Sequence, residues 1–80
     1  GTVKPYIYPN PAQREVILHS EQSLAAIRIF DMNGRMLLQP ELKRNNNEYR
    51  IDISDLPRGL FLVQAISKDQ QQFLLKISKQ

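Results

Sequence analysis

The stretch from Leu56 to Ile66 constrains the fold most, because a turn signal leads directly into a strand that is apolar on nearly both faces. Pro57 presets φ for the second position of a type I turn and Gly59 suits its fourth, which predicts a turn over residues 56–59. The side chains that follow alternate between two faces, one with Phe61, Val63 and Ala65 and the other with Leu60, Leu62, Gln64 and Ile66. Such a strand is usually central in its sheet, so we expect the rest of the chain to be arranged around it.

Six other segments show the two-residue alternation of short strands. They are residues 6–8, 14–20, 26–30, 36–39, 49–53 and 73–78. Asn33-Gly34 predicts a hairpin over residues 31–35, and a second hairpin loop is expected at residues 68–71. Residues 43–47 read as a polar connection whose asparagines can adopt left-handed conformations at low cost.

Pro9-Asn10-Pro11 predicts a rigid, extended corner, because each proline removes a backbone donor and Pro11 keeps Asn10 out of the α region. Seven short strands at intervals of roughly ten residues favour an all-β fold, a seven-stranded antiparallel immunoglobulin-like β-sandwich. A small barrel is the alternative, since the Cys–Trp–Cys signature of true immunoglobulin domains is absent. The predicted core consists of Val16, Leu18, Ile27, Ile29, Met36, Leu38, Ile51, Ile53, Leu56, Phe61, Val63, Phe73, Leu75 and Ile77.

The chain length of 80 residues suffices for one domain and is too short for two. We expect residues 1–5 to be the end of a linker and residues 6–80 to form the domain. No apolar run approaches the ~18–20 residues that a membrane-spanning helix needs, so a membrane-spanning protein is not expected. The net charge of +3 comes from scattered lysines and arginines, a pattern typical of a solvated surface, and no nucleic-acid partner is expected.

The sequence offers no catalytic residues, no cofactor-binding residues and no metal ligands. His19 is the single histidine and lies in a strand pattern, where an ordinary surface role is expected. The absence of cysteine excludes a thiolate metal site, and there is no glycine-rich phosphate loop. Asp52 reads as an outward strand residue, while Ser54 or Asp55 is expected to bond to the backbone of the next turn. We therefore expect a protein that is not an enzyme and has no cofactor.

Four motif segments occur in a characteristic order along the chain. They are Tyr8-Pro9-Asn10-Pro11-Ala12, Asp31-Met32-Asn33-Gly34-Arg35 within residues 27–35, Leu56-Pro57-Arg58-Gly59 within residues 53–61, and Leu75-Lys76-Ile77-Ser78-Lys79. In this order and spacing they resemble the C-terminal sorting domain of cargo proteins of the Bacteroidetes type IX secretion system. The resemblance extends from Tyr6 to Lys79.

The resemblance implies a non-catalytic sorting signal at the end of a larger cargo protein. Its partners would be the fused upstream cargo, the outer-membrane translocon, and shuttle and sortase components. The cargo would pass through the periplasm to the cell surface or the extracellular space. There the domain would be cut by a sortase, with lipopolysaccharide anchoring of the cargo, or dock uncut at the surface machinery.

The candidate recognition residues match the recurrent motifs of that family. They are Pro9, Asn10, Pro11, Gly34, Leu56, Pro57, Gly59, Lys76 and Ile77, to which we add Lys79. The chain departs from the family pattern at Phe61, where tyrosine is common, and in the residues after Ile77, where a further basic or aliphatic residue is typical.

The basic, alternating C-terminal strand suggests how such a signal is read. We expect its capture by strand addition to an exposed edge, with Lys76 and Lys79 supplying direction. Edge-strand pairing would also allow a dimer. The competing interpretation is an immunoglobulin- or fibronectin-like accessory or spacer module of an extracellular enzyme, which would not require the Pro-Asn-Pro corner. A nucleic-acid-binding barrel is a more distant alternative, because exposed stacking aromatics are few.

Overall fold

The alternating segments form strands, as their two-residue periodicity predicts. The computed structural model describes residues 3–80, which contain eight strands and no helix. The strands are β1 (Tyr6–Tyr8), β2 (Glu15–His19), β3 (Leu24–Phe30), β4 (Met36–Leu38), β5 (Arg44–Asn45), β6 (Glu48–Asp52), β7 (Gly59–Ser67) and β8 (Gln72–Lys79). The predicted number of seven was one too low, because the two-residue strand β5 lies in the segment that we interpreted as a polar connection.

The strands form two antiparallel sheets. Sheet 1 has the order β1-β2-β6-β5 and sheet 2 has the order β4-β3-β7-β8. This is the immunoglobulin arrangement, in which strands A, B, E and D form one sheet and strands C, F and G form the other. Here β1, β2, β6 and β5 take the places of A, B, E and D, and β3, β7 and β8 take those of C, F and G, with β4 added beside β3. The predicted β-sandwich is therefore confirmed. No helix among residues 3–80 has the length and hydropathy that crossing a bilayer requires.

Strand β7 is an inner strand of sheet 2, hydrogen-bonded to β3 on one side and to β8 on the other. Its alternation is as expected: Phe61, Val63 and Ala65 are buried, while Leu62 and Ile66 on the other face remain half-buried. The two inner faces meet in a core of buried side chains to which both sheets contribute. Burial of each large side chain in such a core contributes about 1.5–3 kcal/mol to folding.

Ten of the predicted core residues are buried, and Leu38, Phe73 and Leu75 pack against them half-buried. Met36 is the exception, because its side chain is 50% exposed. The register between β3 and β4 shifts after Ile29, so that Leu38 lies opposite Ile29 and Met36 lies opposite the outward-facing Phe30. An extra residue in one strand of a pair moves the side chains beyond it to the other face. The core also includes Ala12, Leu24 and Tyr49, which the prediction omitted.

Two of the three hairpin connections were predicted as hairpins, and the third lies in the segment that we interpreted as a polar connection. Residues 31–35 connect β3 to β4, with Gly34 at φ +86°. Asn46 and Asn47 have φ values of +52° and +67° and form the two-residue turn between β5 and β6. Residues 68–71 connect β7 to β8. The Asn33-Gly34 pair and the asparagines of residues 43–47 were predicted to tolerate the left-handed backbone, whereas the positive φ of Gln70 in the last loop (+71°) was not predicted.

The turn predicted at residues 56–59 was placed three residues too late. The hydrogen-bonded turn is formed by residues 53–56, where the Leu56 N–H donates to the Ile53 carbonyl at 3.0 Å. Pro57 and Arg58 lie between this turn and β7, and Gly59 is already the first residue of the strand. The proline therefore ends the turn, and the positive φ of Gly59 (+142°) adjusts the entry into β7.

Candidate recognition surface

Three of the four motif segments meet at one end of the sandwich, which we call the motif end. It comprises residues 9–12, residues 56–59 and residues 76–80. The first segment links β1 to β2, the second leads into β7, and the third is the end of β8. Hydrogen bonds join the first and second segments to the third, as described below.

Asn10 binds the backbone of β8 through both ends of its side-chain amide. Its Nδ2 donates to the Lys76 carbonyl at 3.0 Å, and its Oδ1 accepts from the Ser78 N–H at 2.9 Å. A neighbouring strand would satisfy the same two backbone groups, so the amide replaces one strand pairing at this edge. We call these contacts the Asn10 clamp. Its partners lie 66 and 68 residues away along the chain.

Ala12 extends the clamp with backbone hydrogen bonds. Its N–H donates to the Ser78 carbonyl at 2.9 Å, and its carbonyl accepts from the Gln80 N–H at 2.8 Å. These bonds form a short parallel bridge between Ala12 and Lys79, and they bury the Ala12 side chain. The chain thus changes sheets at the Pro-Asn-Pro corner: β1 pairs in sheet 1, whereas Ala12 pairs with sheet 2. Both Tyr8-Pro9 and Asn10-Pro11 are cis peptide bonds.

Lys79 joins the third segment to the second. Its Nζ donates to the Leu56 carbonyl at 3.1 Å, and its backbone lies opposite Gly59 in the β7–β8 pairing. The Leu56 side chain beneath this contact is buried. The carbonyl of the residue before Pro57 is therefore satisfied by the lysine, in a segment where Pro57 offers no backbone donor.

The fourth motif segment, the hairpin that contains Gly34, lies at the same end of sheet 2. Phe30 at the end of β3 is opposite Leu62, and Phe61 is opposite Ile77. The hairpin follows Phe30 directly, so it extends past the same edge of the sheet as Gly59 and the end of β8. The Asp31 carboxylate accepts from the Asn33 and Arg35 N–H groups at 2.9 Å each, which stabilises the turn.

The structure divides the candidate recognition residues by exposure. Pro9, Asn10, Pro11, Gly34, Pro57, Gly59 and Lys76 are exposed, Lys79 is half-buried, and Leu56 and Ile77 are buried. The two buried residues are core residues that hold the motif end together. Lys76 projects into solvent from β8, whereas Lys79 is tied to a carbonyl, so the two lysines have different roles.

An open groove of about 700 Å³ lies at the motif end. The lining residues are all polar, and three of them are cationic. They are Gln13, Arg14, Ser54, Arg58, Lys79 and Gln80. A smaller groove of about 200 Å³ lies between Lys4 and Pro5 on one side and residues 72–75 on the other. Pro5 is buried, so the segment before β1 lies beside the half of the β8 edge that the Asn10 clamp leaves open.

The other residues that the sequence singled out lie elsewhere. The ring of His19 stacks on that of Tyr6 across the β1–β2 pair, with centroids 4.8 Å apart. The Asp52 carboxylate accepts from the N–H and the Oγ of Ser54 at 2.9 and 2.6 Å, which lowers the pKa of Asp52 below its ordinary value of 3.8. Asp52 is thus the residue that bonds to the turn, in place of Ser54 or Asp55. No group of three potential metal ligands occurs within residues 3–80.

Ala12 and Ser78 belong to the motif segments, but sequence reasoning did not include them among the candidate recognition residues. Both act through backbone atoms, and no pattern of side chains reports which distant backbone a residue will pair with. The available signal was Asn10, which lies between two prolines. The prolines cannot donate backbone hydrogen bonds, whereas the asparagine side chain can both donate and accept.

The family model for the secretion system C-terminal sorting domain matches residues 6–80. The chain belongs to this family. A search of curated proteins found no match. The match covers all four motif segments, including the clamp residues and the terminal strand.

Membership in this family makes the chain a type IX secretion sorting domain. Such a domain implies a cargo fused upstream, an interaction with the secretion machinery, and export to the cell surface or the extracellular space. Domains of this family are typically not catalytic. The motif end of the sorting domain is therefore a candidate for a binding surface.

Proposed function

We propose that the domain is a non-catalytic address that the outer-membrane type IX translocon reads in its folded state. The observation that carries this proposal is the convergence of the motif segments, which are far apart in sequence, at one end of the sandwich. A signal that was read as an unfolded peptide would not need residues 10 and 78 to be hydrogen-bonded to each other. The cargo passes through the periplasm in this scheme.

The Asn10 clamp changes the expected mode of reading. The edge of β8 from Lys76 to Gln80 already pairs with Asn10 and Ala12, and residues 72–75 lie beside Lys4 and Pro5. Capture of β8 by strand addition, or a dimer through this edge, would first have to break these contacts. We therefore infer that the partner binds the assembled surface, with Lys79 as a positioning residue and the exposed motif residues as contacts.

After translocation, a sortase would cut upstream of residue 6 and join the cargo to lipopolysaccharide, or the domain would stay attached and dock at the surface. Residues 3–4 are exposed, which supports access of a sortase to a cleavage site before β1. Pro5 is buried, so the cut is expected before it.

The test is export of a reporter. A reporter enzyme with an N-terminal signal peptide is fused upstream of residues 1–80 and expressed in a bacterium with a type IX system, and its activity is measured in periplasm, on cells and in medium. We expect surface or extracellular activity that is lost without the domain or in a strain lacking the translocon. A variant of Asn10 that folds more weakly should export in proportion to its folded fraction. Periplasmic retention of the wild-type fusion in the competent strain would refute the proposal.

A further inference from the structure

The outer face of sheet 2 is largely apolar towards the motif end, and none of its strand residues is acidic. The residues of β3, β4, β7 and β8 that face away from the core are Ala26, Arg28, Phe30, Met36, Leu60, Leu62, Gln64, Ile66, Gln72, Leu74, Lys76 and Ser78. Six of these are large apolar residues and two are cationic. Met36, Leu60 and Leu74 are 50%, 49% and 65% exposed.

The strand register makes the apolar side chains contiguous. Met36, Phe30, Leu62 and Lys76 are successive neighbours in one row across the four strands. Leu60 lies two residues from Leu62 on the same strand. Residues directly opposite or diagonal on one face of a sheet lie within about 4.5–8 Å, so these side chains form one patch that ends at Lys76.

The outer face of sheet 1 is different, since it carries the acidic side chains of Glu15, Glu48 and Asp52. Glu15 pairs with Arg50 at 2.7 Å, and the Tyr8 hydroxyl donates to Glu48. On sheet 2, the Arg28 guanidinium donates to the neutral Gln64 amide oxygen at 3.4 Å. Neither of the two ion pairs in the described part of the chain includes Arg28 or Lys76. This face therefore presents uncompensated positive charge beside apolar surface.

A second copy of the domain does not fit this face. Symmetric pairing would bring the same patch on both copies together, so positive charges would meet positive charges. The face measures roughly 19 Å across four strands and at most about 30 Å along β7, or under about 600 Å². Stable interfaces bury about 800 Å² on each partner, so the face is too small for a stable dimer and suits the smaller contact of a transient complex.

A lipid surface fits the face poorly as well. The apolar side chains stand on paired strands rather than on a projecting loop, so they could not enter a bilayer without burying the charged side chains beside them. Two cations near an anionic membrane contribute only about 1 kcal/mol each. A protein surface with apolar side chains and flanking carboxylates matches both properties of the face.

We propose that the outer face of sheet 2 docks onto a protein of the secretion machinery through an apolar surface that is bordered by acidic side chains. This inference rests on the proposed function and names the surface that it uses. Lys76 is the connection to the motif end, because it is both a motif residue and the charged end of the apolar row. The patch supplies apolar contact, and Arg28 and Lys76 set the orientation of the partner.

The test compares four variants of the reporter fusion. Leu60→Ser/Leu74→Ser removes the exposed apolar contacts, and Arg28→Glu/Lys76→Glu reverses the charges. Their controls are Tyr6→Ser, an equally exposed apolar change on sheet 1, and Lys43→Glu/Lys68→Glu, which reverses two charges elsewhere on the surface. Thermal unfolding of each purified domain verifies folding.

We expect both sheet 2 variants to lower export by about tenfold while remaining folded, and both controls to export like the wild type. A photo-crosslinking amino acid at position 74 should yield a product with a machinery protein, and reversing an acidic residue at the crosslinked site should restore export of the Arg28→Glu/Lys76→Glu variant. Normal export of both sheet 2 variants would overturn the inference while leaving the proposed function intact. Failure of the wild-type fusion would instead refute the proposed function.

Two further measurements address the other occupants. The purified domain is mixed with phosphatidylglycerol vesicles and centrifuged through a density gradient, and its mass is measured by sedimentation velocity. We expect the domain to stay below the vesicles and to sediment as a monomer. If the domain floats with the vesicles and Leu60→Ser/Leu74→Ser does not, the face binds lipid and the inference is overturned. If the domain is a dimer and Leu60→Ser/Leu74→Ser is a monomer, the face binds a second copy and the inference is likewise overturned.

Discussion

Replacing Asn10 with alanine tests whether the Asn10 clamp holds the terminal strand in place. The change removes two hydrogen bonds to the backbone of β8, at 3.0 and 2.9 Å. Each such bond contributes about 0.5–1.5 kcal/mol, and water can reach the exposed site and replace part of it. We therefore expect a loss of about 1–2 kcal/mol in the free energy of unfolding. For a domain of this size that corresponds to a fall in Tm of roughly 5–15 °C.

Denaturant unfolding and amide hydrogen exchange measure the effect. The Ser78 N–H loses its acceptor directly, and the Gln80 N–H depends on the neighbouring Ala12 pairing, so both amides should exchange faster than in the wild type. The matched control is Asn33→Ala. Asn33 bonds to Asp31 through its backbone N–H, which alanine retains.

We expect the Asn10 variant to unfold more easily than the Asn33 variant. Equal unfolding free energies for the Asn10 and Asn33 variants, with unchanged exchange at Ser78, would show that the clamp contributes nothing to the position of β8. In that case the convergence of the motif segments would have to be explained by packing of Leu56 and Ile77 alone.

Three further changes probe the fold and its pH dependence. Gly59→Ala should cost about 1–3 kcal/mol in unfolding free energy, because φ is +142° there although an added Cβ would meet no atom within 4 Å. Tyr49→Phe should cost about 1–3 kcal/mol, since the buried Leu24 N–H donates to the Tyr49 hydroxyl at 2.9 Å and would lose its acceptor. Hydrogen bonds from Ser54 lower the pKa of Asp52 in the folded state. The ionised Asp52 therefore stabilises the fold above pH 3.8, and this stabilisation is lost as the pH falls through the lower folded-state pKa. An NMR titration should show the Asp52 pKa rising in Ser54→Ala.

Each of these predictions has its own control. Pro57→Ala changes the backbone next to Gly59 without a positive φ, and a larger loss there than at Gly59 would contradict the strain argument. Tyr8→Phe also removes a hydroxyl, but from an exposed site where water can bond to Glu48, so it should cost less than Tyr49→Phe. An Asp52 pKa that is the same with and without the Ser54 hydroxyl would assign its shift to another cause.

The inner strands could be predicted from the sequence because their alternation is long and uninterrupted. In β7 and β6 every second side chain is apolar, and backbone geometry alone sends successive side chains to opposite faces. Hairpins at residues 31–35 and 68–71 were predictable for a similar local reason. Strand β5 was not, since two polar residues carry no periodicity and pair only because the Asn46-Asn47 turn returns the chain beside β6.

The errors arose where a neighbouring strand decides the outcome. Met36 follows the apolar alternation, but the shifted register against β3 turns it outward. Pro57 and Gly59 have the residue types of a type I turn, yet the hydrogen bond forms earlier, at residues 53–56. The entry into β7 is constrained by the pairing of Gly59 with Lys79, which no local rule contains.

The sequence by itself determined seven of the eight strands, two of the three hairpins and the family, because these depend on side-chain periodicity and on motifs that can be read along the chain. Only the tertiary structure decided that Asn10 binds β8, that Lys79 is tied to Leu56 while Lys76 is exposed, and that the outer face of sheet 2 is left without acidic charge. These features depend on how two sheets pack and in what register their strands pair. A hydrogen bond between residues 66 positions apart forms only after both conditions are met.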